Sequence, residues 1–111
     1  TAGLKHIEWV AGLFEGEGCL TQKKNGNWVL KVKMTDSDVM WNLYVALGCR
    51  GHLDALRKYP SQADHHKPTQ TWQTGKRDLI NEICKELYPY MGNRRKAKFQ
   101  EFFDWYSAKT K

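Results

Sequence analysis

Two glutamates, Glu15 and Glu17, lie at the predicted end of the first helix, where their carboxylates could bind a metal ion. Because the C-terminal end of a helix carries partial negative charge, acids placed there cost stability unless a cation is present. Glycines on both sides of Glu17 leave its carboxylate uncrowded. An open carboxylate beside backbone carbonyls is a suitable ligand for Mg²⁺, which prefers oxygen donors and keeps several waters. The competing interpretation is a surface glutamate at a turn.

Small residues in the same helix permit a close helix contact. Gly12 and Gly16 lie four residues apart, next to Ala11. Small side chains at this spacing allow two helix backbones to approach closely. The spacing alone does not decide between a second copy of the chain and another helix of the same chain.

The run Val10–Gly18, VAGLFEGEG, resembles the LAGLIDADG motif of homing endonucleases, which phages, introns and inteins commonly carry. Four letters of the motif match, Val10 and Phe14 are conservative replacements, and Glu15 and Glu17 replace its two aspartates. One motif per chain implies a homodimer that pairs through the first helix. The residues expected at this interface are Val10, Ala11, Gly12, Phe14 and Gly16.

The resemblance also implies the parts of a catalytic site. Glu17 is expected to bind Mg²⁺, or Mn²⁺, at the scissile phosphate. A basic residue near the start of the last helix is expected to offset charge there, and Arg94 is preferred to Lys96. Asp36, which follows the second strand, is the candidate for orienting water, although it is equally suited to cap the next helix.

The elements that must position these residues follow from hydrophobic periodicity and turn signals. An asparagine-glycine turn at 25–27 separates two strands, and alternation puts Leu30 and Val32 on one face with Lys31 and Lys33 on the other. The fold class is α+β, with the order αββαββα and one domain over residues 1–111, and the resemblance implies that the sheet is antiparallel and curved. The predicted elements are a helix from Lys5 to Phe14, strands at 19–24 and 28–34, a helix from about 36 to Leu47, strands at 52–59 and 69–74, and helices starting after Gly75 and near Arg94.

By the same resemblance, the polar face of this sheet reads the major groove of DNA, which admits a β-ribbon and displays a distinct pattern for each base pair. An ordinary solvated sheet face has the same polar composition and is the competing interpretation. The candidate DNA-binding residues are Thr21, Lys23, Asn25, Asn27, Lys31, Lys33, His52, Asp54, Lys58, Thr71, Gln73 and Lys96.

The overall composition fits a nucleic-acid-binding domain without proving one. The chain has a formal net charge of +6 over 111 residues, and basic charge favours a polyanionic partner. Three cysteines without a CxxC spacing argue against a disulfide framework and a zinc site, so a reduced, intracellular protein is expected. No apolar run is long enough to span a membrane.

The function that the resemblance implies is site-specific cleavage of double-stranded DNA at a long, nearly palindromic target, by a metal-dependent homodimer. LAGLIDADG-like proteins also act as DNA-binding regulators without cleavage and as RNA-splicing maturases, and these remain the alternative. A basic α/β module that binds RNA is a third possibility.

Overall fold

The computed structural model describes residues 6–54 and 69–110, and within them the element order αββαββα is confirmed. The helices are α1 Ile7–Glu17, α2 Ser37–Ala46, α3 Arg77–Leu87 and α4 Asn93–Thr110, with a 3₁₀ turn, Tyr88–Tyr90, before α4. The strands are β1 Gly18–Gln22, β2 Trp28–Met34, β3 His52–Leu53 and β4 Gln70–Thr74.

The four strands form one antiparallel sheet in the order β1-β2-β4-β3. Since side chains alternate along a strand, directly paired residues share a face. Leu20 pairs with Leu30, and Val32 pairs with Trp72. These four side chains are buried, and they form the sheet's contribution to the core.

The helices cover this buried face and supply the rest of the core. Phe14 of α1 meets Trp72 edge to face, with ring centroids 6.0 Å apart. Phe102 of α4 packs in the same way on Trp28, at 5.6 Å. In an edge-to-face pair, the positive edge of one ring lies against the negative face of the other. These contacts therefore orient α1 and α4 on the sheet.

The first helix is longer at its C-terminal end than predicted. Gly16 lies inside α1, which runs to Glu17, and Gly18 is the C-cap in extended backbone. A Cβ on Gly18 would lie 2.7 Å from the carbonyl oxygen of Phe14, so lack of space requires glycine at this position. The helix therefore ends three residues later than the predicted end at Phe14.

Other bounds differ by a few residues. β1 ends at Gln22 instead of continuing to residue 24, because Lys23 already belongs to a turn in which its carbonyl accepts from the amide of Gly26. Of the strand predicted at 52–59, His52–Leu53 forms a strand and Asp54 lies just past it. Residues 55–59, with Lys58, lie outside the described residues. No helix in the described part of the chain is long and apolar enough to cross a membrane.

Candidate active site and nucleic-acid interface

An open groove of about 430 Å³ lies at the junction of α1, β2 and α2. Glu17 enters it from the end of α1, Lys33 from β2, and Asp36 from the turn before α2. The residues that line the groove are Glu17, Lys33, Met34, Thr35, Asp36 and Thr69. The structure thus brings together two of the three residues expected to be catalytic.

Asp36 occupies the N-cap position of α2 without acting as a side-chain cap. Its backbone is extended, and its carboxylate accepts no hydrogen bond from the helix. Neither Asp36 nor Glu17 forms a hydrogen bond or ion pair with another side chain among the described residues. Both are exposed, so both carboxylates are open to a ligand in the groove.

Arg95, at the start of α4, holds the end of α1. Its guanidinium donates to the backbone carbonyl of Gly18 and, at 3.0 Å, to that of Glu15. The last turn of α1 contains no basic residue of its own. Arg95 therefore supplies, from another helix, the cation that carbonyls and acids at a helix C-terminus require.

The carboxylate of Glu15 completes this arrangement, which we call the Arg95 clamp: Glu15, Gly18, Gly92 and Arg95. Arg95 Nε lies 3.2 Å from Glu15 Oε2 as an ion pair, outside hydrogen-bond alignment. Glu15 Oε1 accepts from the amide of Gly92, where a Cβ would lie 2.7 Å from that oxygen. Of the two acids in the motif, Glu15 is thus bound to the protein and Glu17 is open.

The basic residues predicted near the start of α4 occupy different surroundings. Arg94 is exposed and forms no hydrogen bond or ion pair within the described ranges. Lys96 places its ammonium 5.4 Å from the ring centroid of Tyr88, a cation–π contact. Neither residue lines the groove that holds Glu17 and Asp36.

Sequence reasoning missed Arg95, although a signal for it existed. Phe99 and Phe102 are buried on one face of α4. Counting back four residues from Phe99 reaches Arg95, on the same inward face, whereas Arg94 falls off it. A basic residue that falls on the buried face of a helix indicates a buried hydrogen-bond acceptor nearby.

The exposed face of the sheet carries a continuous row of side chains across all four strands. Cys19 pairs with Lys31, Lys31 with Gln73, and Gln73 with His52. We call these four residues the cross-strand row. It contains three of the predicted DNA-binding residues, and Cys19 is an addition that the sequence reasoning did not include.

The remaining candidates flank the cross-strand row. Lys33 pairs with Thr71, and Thr21 pairs with Val29, on the same face. Asp54 continues the face past β3, where its carboxylate lies 2.7 Å from His52 Nε2. The strand register therefore supports the predicted face, while contact with DNA remains a prediction.

The β1–β2 turn holds three further candidates, Lys23, Asn25 and Asn27, all exposed. The amide of Asn27 donates to Asn25 Oδ1 at 3.0 Å, and the amide of Lys23 donates to the carbonyl of Asn27 at 2.7 Å. The Asn25 side chain thus closes the turn, so one of its acceptor sites is already used.

The five residues predicted for the dimer interface fall into two groups. Val10, Ala11 and Phe14 are buried in the chain's own core, so they offer no surface to a second copy, which corrects their assignment to the dimer interface. Their apolar periodicity has an intramolecular cause, since they pack against the sheet. Gly12 and Gly16 are exposed, and a Cβ on either would meet nothing within 4 Å.

The carboxylates of one chain do not form a complete metal site. Within the described residues, no group of three or more histidine, cysteine, aspartate or glutamate side chains is placed to hold a metal ion. Glu17 and Asp36 nevertheless line one groove and supply the oxygen donors that a hard divalent cation prefers. These two carboxylates therefore fit Mg²⁺ as part of its ligand set.

No family model and no curated protein matches this chain in sequence. Its fold is that of the LAGLIDADG homing endonucleases. The intron-encoded homing endonuclease I-CeuI, solved with DNA, superposes with a TM-score of 0.64 at 15% identity, over 94% of this chain and 56% of that one. I-CvuI, solved with its target and Ca, gives a TM-score of 0.60 at 17% identity, over 85% of this chain and 60% of that one. The LAGLIDADG homing endonuclease I-GzeII, solved with its DNA target, gives a TM-score of 0.57 at 19% identity, over 96% of this chain and 36% of that one.

The resemblance inferred from the motif is thus confirmed at the level of the fold. The chain spans about 60% of the length of I-CvuI and little more than a third of I-GzeII.

Proposed function

We propose that this chain is one subunit of a divalent-metal-dependent endonuclease that cleaves double-stranded DNA at a specific site. The observation that carries the proposal is the shared groove of Glu17 and Asp36, which lies next to an exposed polar sheet face. Glu15 is bound within its own chain, by Arg95 and by the amide of Gly92. Glu17 is instead left open beside a second carboxylate.

The sheet face has dimensions that fit a nucleic-acid groove. Neighbouring strands lie about 4.8 Å apart, so the cross-strand row extends over roughly 14 Å, close to the roughly 12 Å width of the major groove. Lysine and glutamine in this row present the donors and acceptors that read base edges. Lys33 lies on the same face and also lines the groove, so it links the reading surface to the reaction site.

The reaction proposed is hydrolysis of a phosphodiester bond. A divalent cation held by Glu17 and Asp36 would stabilise charge on the phosphate and increase the acidity of a water molecule. Lys33 is placed to offset negative charge on a phosphate in the groove. Arg94 remains the proposed basic residue of the α4 start, and the Arg95 clamp keeps the end of α1 in position so that Glu17 faces the groove.

A homodimer supplies what one chain lacks. Two copies that meet along Gly12 and Gly16 would bring two Glu17 carboxylates close together, one for each DNA strand. Such a dimer has twofold symmetry and predicts a nearly palindromic target.

The test begins with selection of duplexes from a randomised library, by binding without divalent cation. The enriched duplex is then incubated with Mg²⁺ or Mn²⁺. The wild-type protein is expected to cut both strands, and Glu17→Gln to bind with unchanged affinity and to cut at least a thousandfold more slowly. Glu8→Gln, at the other end of α1, is the matched control and is expected to cut normally. Cleavage by Glu17→Gln at the wild-type rate would contradict the proposal.

A DNA-binding regulator of the same fold is the alternative, because the reading face needs no intact reaction site. Wild-type protein that binds the selected duplex and never nicks it in either metal would favour the regulator. Preferential binding to a structured RNA would favour the maturase.

A further inference from the structure

Three of the four large hydrophobic side chains that the described residues leave exposed lie together on α1 and α2. Trp9 is 43% exposed, Trp41 57% and Val45 44%. They border a shallow cavity of about 680 Å³, lined by His6, Trp9, Trp41, Asn42, Val45 and Ala46. We call this surface the tryptophan face. Contiguous exposed apolar surface of this kind marks an interaction site.

We propose that a second copy of this chain covers the tryptophan face, so that α2 joins α1 in the homodimer interface. The inference rests on the proposed function, which requires a dimer, and it names a surface that the motif does not include.

The tryptophan face continues the exposed stripe of α1. Trp9, Gly12 and Gly16 are spaced three and four residues apart, so they lie along one side of the helix. A molecule that packs on the two glycines therefore also reaches Trp9. Trp41 and Val45, four residues apart on α2, extend the same surface sideways.

The orientation of the two copies brings equivalent faces together. Both Glu17 side chains must reach the same DNA, so the two α1 helices run in the same direction beside a twofold axis. Trp9 lies seven residues before Gly16, which is about 10 Å further from the DNA at 1.5 Å per residue. The tryptophan faces of the two copies then stand at the same level.

The area of contact requires more than the glycine stripe. A standard stable interface buries about 800 Å² on each partner. Gly12 and Gly16 contribute backbone only, whereas the exposed parts of Trp9 and Trp41 together equal about one whole tryptophan, roughly 250 Å². The tryptophan face thus supplies nearly a third of the area that such an interface needs.

The chemistry of the face fits protein better than DNA. Of the six residues that line the cavity, His6 alone is ionisable, so the face offers no cluster of cations to phosphate groups. Tyr44 packs beside Trp41, with ring centroids 5.7 Å apart, and holds the indole in place. Pre-oriented tryptophans are common among the residues that dominate binding energy at interfaces.

The experiment is sedimentation equilibrium of the purified chain without DNA, over a range of concentrations. The wild-type protein is expected to dimerise, and Trp41→Ser and Val45→Ser each to raise the dimer dissociation constant at least tenfold. Tyr90→Ser, which truncates the fourth exposed hydrophobic side chain, is the matched control, since Tyr90 lies in the 3₁₀ turn. Gly16→Leu blocks the α1 stripe itself.

The outcomes separate this inference from the proposed function. If Gly16→Leu abolishes the dimer while Trp41→Ser and Val45→Ser leave it unchanged, the tryptophan face is not in the interface, although the α1 dimer stands. If the tryptophan-face variants lose thermal stability and dimerise normally, the chain itself covers this face and the inference is overturned. A wild-type protein that stays monomeric overturns the inference, and cleavage of the selected duplex then decides the nuclease proposal by itself.

Discussion

Arg95 and Glu15 join the first turn of α4 to the last turn of α1, with Arg95 Nε 3.2 Å from Glu15 Oε2. The same guanidinium donates to two carbonyls at the end of α1, so one side chain satisfies acceptors that a helix leaves unpaired. Glu17 follows Glu15 by two residues, which makes its position dependent on this contact.

Arg95→Ala is expected to destabilise the fold by about 2 kcal/mol, since it removes hydrogen bonds from a charged, largely buried donor. Arg94→Ala is the matched control, because Arg94 is exposed, and it is expected to change the free energy of unfolding by less than about 0.5 kcal/mol. Urea unfolding of both variants provides the comparison. Equal effects of the two substitutions would show that the Arg95 clamp is not a stabilising contact.

Gly12→Ala and Gly16→Ala are expected to have opposite effects on the monomer and the dimer. Alanine is a better helix former than glycine by about 1 kcal/mol, and a Cβ meets no neighbour at either position, so the dilute monomer gains stability. In the dimer the same methyl groups would separate two closely packed backbones. Unfolding in dilute solution and sedimentation at high concentration measure the two effects. If the substitutions stabilise the monomer and also strengthen the dimer, this result would argue against pairing through α1.

The three cysteines are expected to differ in reactivity with a thiol reagent. Cys19 and Cys49 are exposed, whereas Cys84 is buried in the core, and this burial raises the pKa of its thiol. Native protein should therefore react rapidly at two thiols, and at the third only on unfolding. Bound DNA should slow the reaction of Cys19, which belongs to the cross-strand row. Rapid reaction of three thiols in native protein would contradict the described core.

Gly51→Ala is expected to destabilise the fold by 3 kcal/mol or more, roughly the cost of forcing atoms into a packed core with a strained backbone. Gly51 has a φ of 84°, and a Cβ there would lie 2.6 Å from the Trp72 ring. Gly26→Ala is the matched control, since Gly26 has a φ of 92° with nothing within 4 Å. The control should lose only about 1 kcal/mol. Similar losses in urea unfolding would mean that Trp72 yields to the added methyl group.

Local periodicity was sufficient to predict the element order and the exposed sheet face. Lys31 and Lys33 alternate with buried residues. Because side chains alternate between the two faces of a sheet, this pattern assigns each residue to one face. The helix α1 was harder, because apolar residues surround it and periodicity does not separate its core side from its open side. Val10 and Phe14, which the motif resemblance placed at the dimer interface, are instead buried in the chain's own core.

The end of α1 and the Arg95 clamp depend on contacts between residues about 80 positions apart. The helix was predicted to end at Phe14, yet it continues three residues further, to Glu17, and Arg95 binds carbonyls at this end. The preference for Arg94 came from the motif, which does not specify the rotation of α4. That rotation follows from the packing of Phe99 and Phe102 in the core.

The cross-strand row is separate from the hydrophobic core. Its side chains point away from the core and take no part in the packing between the sheet and the helices. Changes at Lys31, Gln73 or His52 are therefore expected to alter the proposed DNA-reading face at little cost in folding, whereas Glu17 and Asp36 lie on other elements. Under the proposed function, this layout would allow the sequence preference to be changed in the cross-strand row while the groove of Glu17 and Asp36 is retained.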